Sequence, residues 1–306
     1  MSRPPLPWAT PRYDLGPPKT VAIGDHAVDL RGDALAGRRV AVLLCGGIAA
    51  FKGPSLLRAL RREGAETTAF LSEEAHRYVA ADALSWAADR PVVTALSPRA
   101  EHLSDSAPFD AYLLAPATYN SINKLAVGVA DSLVTTTLAS ALGRMERGEA
   151  AVLVAPTMHG SMHNSILQGS LVRLAAMGVH VVPPRDALGK DNLPTEEALV
   201  AAVCRALARS EDAHKRVLLI GGRWPRPDQS LPGGPLPRSP DGDWRSAAWR
   251  RHLRGQQLGI FLPMDASGAP EGVPVRRFGR WAEAEAIAAA CLENNAVDEV
   301  IDLSLR

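Results

Sequence analysis

Val40-Ala41-Val42-Leu43-Leu44 is an unbroken apolar run that empties into Cys45-Gly46-Gly47-Ile48. A strand that is apolar at every position must be covered on both faces, as in a parallel sheet flanked by helices. The paired glycines allow a tight turn and a close approach of backbone to an anion. A helical pattern follows, with Pro54 near its first turn, Leu56, Leu57 and Leu60 on one face, and Gly64 at its end; Thr67 to Leu71 then reads as a second strand. Strand, glycine turn, helix and strand in this order argue a doubly wound parallel α/β sheet. The turn is not the dinucleotide fingerprint, because CGGIAAFKG lacks the Gly-x-Gly-x-x-Gly spacing. Strand two is followed by Ser72, a candidate phosphate ligand, so a mononucleotide such as FMN fits the spacing better.

A second junction of the same kind lies further on. Tyr112 to Ala115 is apolar, turns through Pro116-Ala117-Thr118-Tyr119-Asn120, and continues as a helix with Ile122, Leu125 and Val129 at helical spacing. In an open α/β sheet ligands bind at the carboxyl ends of strands, where free N–H groups and the helix dipole converge. Taken alone, this turn is equally an ordinary strand–helix connection. Glu101-His102-Leu103-Ser104 precedes the strand; a lone loop histidine is ordinarily a solvated surface group, yet beside a cleft it can carry a proton near neutral pH. A helix is expected over 72–88 and a strand over Ala151 to Ala155, leading into Pro156-Thr157-Met158-His159-Gly160-Ser161-Met162-His163-Asn164. That turn reads as a ligand lid. Its His159-x-x-x-His163 spacing suits a metal on a helix, but no third ligand is identifiable, so no metal is assigned. A further helix, the strand Val179 to Val182, a polar loop from Pro183 to Pro194 and an amphipathic helix from Thr195 to Arg209 complete this domain.

The 306 residues suffice for two domains at ~100–200 residues each. Lys plus Arg (34) nearly cancels Asp plus Glu (33), which leaves no basic field for nucleic acid or anionic lipid. No run approaches the ~20 apolar residues of a membrane span, and three widely spaced cysteines, Cys45, Cys204 and Cys291, suit a reducing cytoplasm. Residues 1–36 are expected to form a proline-rich arm, with weak alternation over Val21 to Leu30 that allows an edge strand. Residues 37–210 form the first domain. From residue 214 to 306 a smaller α/β domain begins with the strand Arg216 to Ile220 and a second glycine turn, Gly221-Gly222, followed by Trp224. Helices over Trp244 to Arg254 and Trp281 to Glu293 and strands over Leu258 to Leu262 and Glu299 to Leu303 complete it. Trp244 and Trp249, among Arg245, Arg250 and Arg251, read as a surface helix or a partner face.

GGIAAFK, His102-Leu103, PATYNSINKLAVGVADSLVTT and PTMHGSMHN, in this order, resemble the flavin-containing cysteine decarboxylases, a family that includes phosphopantothenoylcysteine decarboxylase and the peptidyl-cysteine decarboxylases of lantibiotic biosynthesis. The resemblance covers residues 38–205. It implies a Rossmann- or flavodoxin-like fold, FMN as cofactor, and a homotrimer or trimer-based homo-oligomer with FMN at the subunit boundary. It places the FMN phosphate on Gly46, Gly47, Ile48 and Ser72, and the ring system against Thr118, Tyr119, Asn120, Ser121 and Ala155. His102 matches the catalytic base, with Asn120 and His159 as further catalytic positions, and Met158, His159, Met162 and His163 face the substrate. In this family the flavin takes two electrons from the thiol-bearing carbon, giving a thioaldehyde that readily loses CO2.

Three departures qualify the expectation. The family's Pro-x-Met-Asn-x-x-Met-Trp here has His159 for the asparagine that grips the substrate carboxylate and His163 for the tryptophan. Histidine can still donate to a carboxylate. The segment Arg185 to Pro194 lacks the reducing cysteine of the coenzyme A enzymes, so electrons are not returned to the product by that route and an oxidised aminoenethiol should leave. Glu73 and Glu74 follow Ser72, where two carboxylates near a phosphate weaken it unless they point to solvent. The C-terminal region is similar in its opening to a phosphopantothenoylcysteine synthetase and reads as a shortened remnant of one. The expected function is oxidative decarboxylation of a cysteine-derived thiol or a peptide's C-terminal cysteine in specialised metabolism, in the cytoplasm. A non-catalytic FMN-binding scaffold and an FMN enzyme of different redox chemistry are the alternatives.

Overall fold

A computed structural model describes residues 24–103, 107–187, 190–208, 215–222, 224 and 243–303. Residues 1–23 of the proline-rich arm, Arg223 and the segment 225–242 lie outside the described residues, and residues 24–30 contain no strand.

The first sheet has five parallel strands in the order β2-β1-β3-β4-β6, with β1 Arg39–Leu44, β2 Glu66–Leu71, β3 Ala111–Ala117, β4 Ala151–Pro156 and β6 His180–Val181. All side chains of β3 and β4 are buried, as their continuous apolar sequences require. Alternate residues serve opposite layers. Val40, Val42 and Leu44 pack under helices α1 Gly53–Arg62, α2 Ala81–Ala88 and α6 Glu196–Leu207. Ala41 and Leu43 pack under α3 Tyr119–Val127, α4 Leu133–Glu146 and α5 Ser165–Ala176. The strand order reverses between β1 and β3, whose register pairs Leu43 with Leu114. A crevice must open at the carboxyl ends of two strands whose following helices diverge to opposite faces.

Local chemistry sets the element ends. Thr118 caps α3 by accepting from the Ser121 N–H, and Gly128 ends it in the left-handed region at φ 76°, so Val129 falls outside the helix and is exposed. The helix expected over 72–88 is two pieces. The Ser72 hydroxyl accepts from the Ala75 N–H and starts a short 3-10 turn, Glu73–Arg77, and extended backbone at Ala80 separates it from α2. The polar loop after Pro183 folds into an antiparallel ribbon: β5 Met158–His159 pairs with β8 Lys190–Asn192, which pairs with β7 Arg185–Ala187. Backbone pairing, invisible in an apolar pattern, holds that segment.

The second sheet is also parallel, in the order β11-β10-β9-β12, with β9 Arg216–Ile220, β10 Gln257–Pro263, β11 Val275–Phe278 and β12 Glu299–Asp302. The sequence shows β9, β10 and β12, but β11 is short and mostly exposed and escapes it. Helix α7 Trp244–Leu253 covers one face and α8 Trp281–Glu293 the other. The glycine turn after β9 is closed by aromatic side chains. Trp224 Nε1 donates to the Gly221 carbonyl at 2.8 Å, and a Cβ on Gly221 would lie 2.7 Å from the Trp244 ring. The two domains share a boundary: Leu253 of α7 packs into the first domain's core, Trp249 Nε1 donates to Glu63 Oε1 at 3.2 Å, and Thr195 Oγ1 donates to Glu271. No helix of the described residues is long and apolar enough to cross a membrane.

Candidate functional site

At the reversal of strand order the structure opens a pocket of 410 Å3, within the range that takes a cofactor or substrate of drug size. One wall is the glycine turn Gly46-Gly47-Ile48, and the next is the start of α3, Thr118 and Tyr119. The ribbon supplies the rest, through Thr157, Met158, His159 and Met162 and, across the strand pairing, Lys190, Asp191 and Asn192.

The glycine turn is required by its neighbours. A Cβ on Gly46 would sit 2.4 Å from Glu74 Cβ, because the turn after β2 presses on the turn after β1. At Gly47 an added Cβ meets only Thr118 Cγ2 at 3.5 Å and Pro116 Cγ at 3.7 Å, so this glycine leaves space inside the pocket. The N–H groups of Gly46 and Ile48 have no backbone acceptor among the described residues and offer donors to an anion. Glu73 and Glu74 are exposed, and Glu74 pairs with Arg77 at 3.5 Å, which turns its carboxylate to solvent.

Beneath this floor lies a buried polar chain. Cys45 Sγ is 2.9 Å from Ser121 Oγ, and Ser121 Oγ is 3.1 Å from Thr118 Oγ1. Burial pushes the Cys45 thiol up to about 11, so it is a neutral partner. At the ribbon His159 Nδ1 is 2.8 Å from Ser161 Oγ and accepts from the Ser161 N–H, while His163 Nε2 lies 4.0 Å from Asp191. Tyr119 donates its hydroxyl to Asn164 Oδ1 at 3.3 Å, and that oxygen also caps α5.

Of the residues expected at a site, the pocket brings together Gly46, Gly47, Ile48, Thr118, Tyr119, Met158, His159 and Met162. Ser72 stands outside its lining, capping the turn behind Gly46. Ser121 is below the floor, Ala155 is fully buried in the core, and Asn120 is exposed at the start of α3. His102 does not line the pocket of its own chain; its Nδ1 is buried with no hydrogen-bond partner among the described residues. Ser104 lies outside the described residues. Sequence reading missed Thr157, Lys190, Asp191 and Asn192; Gly189 between the paired Ala187 and Lys190 was the one available hint of a hairpin. Among the described residues no group of three His, Cys, Asp or Glu side chains could hold a metal ion.

An open parallel α/β sheet with a glycine-floored pocket at its switch point defines a class, the mononucleotide-binding doubly wound proteins. Within it the chain belongs to the Flavoprotein family, whose family model matches residues 31–208. The Coenzyme A biosynthesis bifunctional protein CoaBC of Thermococcus kodakarensis is 33% identical over 193 residues, covering 61% of this chain and 47% of that protein. CoaBC of Escherichia coli strain K12 is 32% identical over 157 residues, covering 49% and 37%. The chain thus spans about half the length, or less, of the curated relatives it matches. Among solved structures, the FMN-dependent cysteine decarboxylase SpaF is 24% identical with a TM-score of 0.47, covering 55% of this chain and 98% of that one. The expectation of specialised metabolism has no counterpart in these curated relatives, which are coenzyme A biosynthesis proteins.

Proposed function

We propose that this chain binds FMN in the pocket at β1 and β3 and decarboxylates a cysteine-derived thiol, as a small molecule or as the C-terminal cysteine of a peptide. The observation that carries the reading is the pocket itself, with an anion-accepting glycine turn on one wall and a ribbon bearing His159, Lys190 and Asp191 on the other. The residues present fit a phosphorylated ring: free N–H donors on Gly46 and Ile48, a floor kept open at Gly47, and an apolar side from Met158, Met162 and Tyr119. Bound flavin would supply the two-electron oxidation at the thiol-bearing carbon that makes CO2 a good leaving group. His159 and Lys190 then orient the substrate carboxylate, and His102 handles a proton.

His102 lies outside the lining of its own chain's pocket, which supports a homotrimer or trimer-based assembly in which a neighbouring subunit's histidine completes each site. Ile48 (69% exposed), Phe51 (57%) and Ile166 (63%), on the elements that carry the site, provide apolar surface for such contacts. The ribbon carries no cysteine, and burial holds the thiol of Cys45 neutral, so the aminoenethiol would leave oxidised and the two electrons would pass from the flavin to a separate acceptor, such as molecular oxygen. We place the activity beside coenzyme A metabolism, read 37–210 as the flavin domain and 214–306 as a synthetase-like α/β domain used for assembly, and expect a cytoplasmic setting from the three free cysteines. A second reading, flavin chemistry on a different substrate, is favoured by His159 and His163 at substrate-facing positions. The test is the absorbance spectrum of the purified protein, followed by mass spectrometry of cysteine-ended compounds incubated with it. Released FMN and loss of one CO2 together with two hydrogens support the proposal; flavin with unchanged substrates selects the second reading, and no flavin sinks both.

A further inference from the structure

A second cavity, of 420 Å3, lies between the two domains and shares no lining residue with the pocket above. Arg31, Arg62 and Glu63 line it from the first domain, together with the first turns of α6, and Arg245, Trp249 and Arg250 of α7 face them with the loop 268–270. Four guanidinium groups thus meet two carboxylates, Glu63 and Glu197, in one cleft.

The positive charge of the cleft exceeds the negative charge on its walls: Arg31 acts on Glu63 and Arg245 on the neighbouring Asp243, while Arg62 has no ion pair among the described residues. Arg31 and Arg62 make no side-chain hydrogen bond among the described residues, and Arg31 meets Glu63 through charge alone. Arg245 donates through Nε and Nη2 to the neutral carbonyl of Ser267, at 3.2 and 2.9 Å, and lies 4.8 Å over the Trp244 ring. The loop passes directly over this arginine: a Cβ on Gly268, at φ +95°, would lie 2.5 Å from Arg245 Nε. Of the two acids, Glu63 is 3% exposed, accepts from Trp249 Nε1 and interacts with Arg31, so it offsets one of the four cations and leaves the cleft positive. Like charges gathered in a cleft with apolar walls, here Trp249, Ala269 and Pro270, repel one another and focus a positive potential. Guanidinium forks match phosphate oxygens in pairs, and the apolar wall takes an organic body.

We propose that this cleft binds a small phosphorylated metabolite that bridges the two domains and, by binding only their docked arrangement, stabilises it. The inference does not depend on the flavin reading. It is tested on the full chain as purified, its flavin content measured first, by calorimetric titration with pyrophosphate in phosphate-free buffer, on the native protein and on Arg31→Gln and Arg31→Gln/Arg62→Gln. Expected are one saturable site per chain, a higher Tm with ligand, and affinity reduced by about ten- to a hundredfold in the double variant at unchanged flavin content. Arg31 is exposed and makes no side-chain bond, so the single variant folds and reads the site even if the double one is unstable. No saturable binding, or equal binding in native and variant proteins, overturns the proposal.

Discussion

The Cys45 thiol and the Ser121 hydroxyl lie 2.9 Å apart below the pocket floor, and they join two strand ends that are far apart in sequence. Cys45 closes β1 just before the glycine turn; Ser121 sits in the first turn of α3, within reach of the Thr118 hydroxyl that lines the pocket. Burial pushes Cys45 up to about 11 and Cys204 up to about 12, whereas Cys291 is partly exposed. Alkylation of the native protein should therefore label Cys291 alone, with Cys45 and Cys204 labelled only after denaturation. Peptide mapping by mass spectrometry checks this. Cys45→Ala, which removes one of the two partners of the buried Ser121 hydroxyl and leaves it Thr118, should cost about 0.5–1.5 kcal/mol, and Cys45→Ser less.

The two glycines of the turn should separate fold from ligand. Gly46→Ala forces a Cβ to 2.4 Å from Glu74 Cβ, an overlap that costs about 1–3 kcal/mol or more and lowers Tm. Gly47→Ala meets only ordinary contacts, on backbone at φ −124°, ψ 149° that alanine adopts freely. It should leave Tm nearly unchanged and reduce the flavin retained. Thermal unfolding and flavin absorbance of both variants decide it.

His252 gives the molecule an acid limit. Burial, with Arg205 adding to it, lowers its pKa from 6.5 to about 4. Above pH 6.5 folded and unfolded chains both hold it neutral. Between 6.5 and about 4 only the unfolded chain takes the proton, so stability falls as pH falls, by up to about 3 kcal/mol. His252→Gln should flatten the Tm difference between neutral and acid pH relative to the native protein, as scanning calorimetry would show.

His102→Asn should abolish turnover and keep the colour. If a neighbour's His102 completes each pocket, oligomers assembled from His102→Asn chains and His159→Ala chains should recover part of the activity that neither homo-oligomer has. Recovery on co-expression is the measurement; its absence would place His102 and His159 of one chain in the same site, and full activity of His102→Asn alone would place His102 outside the reaction.

The frame of the first domain was legible because continuous apolar runs, a glycine turn and a Thr cap each have one physical use. Three strands of the smaller domain were legible for the same reason. The ribbon was not: Arg185–Ala187 and Lys190–Asn192 are polar strands that pair through backbone alone, so Lys190 and Asp191 carried no signal as pocket residues. Nor could periodicity show which hydroxyls line the pocket and which serve structure. Ser72 and Ser121 follow strand ends as ligands would, yet one caps a 3-10 turn and the other contacts a thiol.

Trp224 and Trp244 close the glycine turn of the smaller domain with indole rings. Of two junctions written in similar residues, one is a socket and the other has been stoppered by its own chain. A side chain at Gly221 therefore acts through volume and one at Gly47 through occupancy: the first should show itself as a loosened fold, the second as a well-folded but colourless protein.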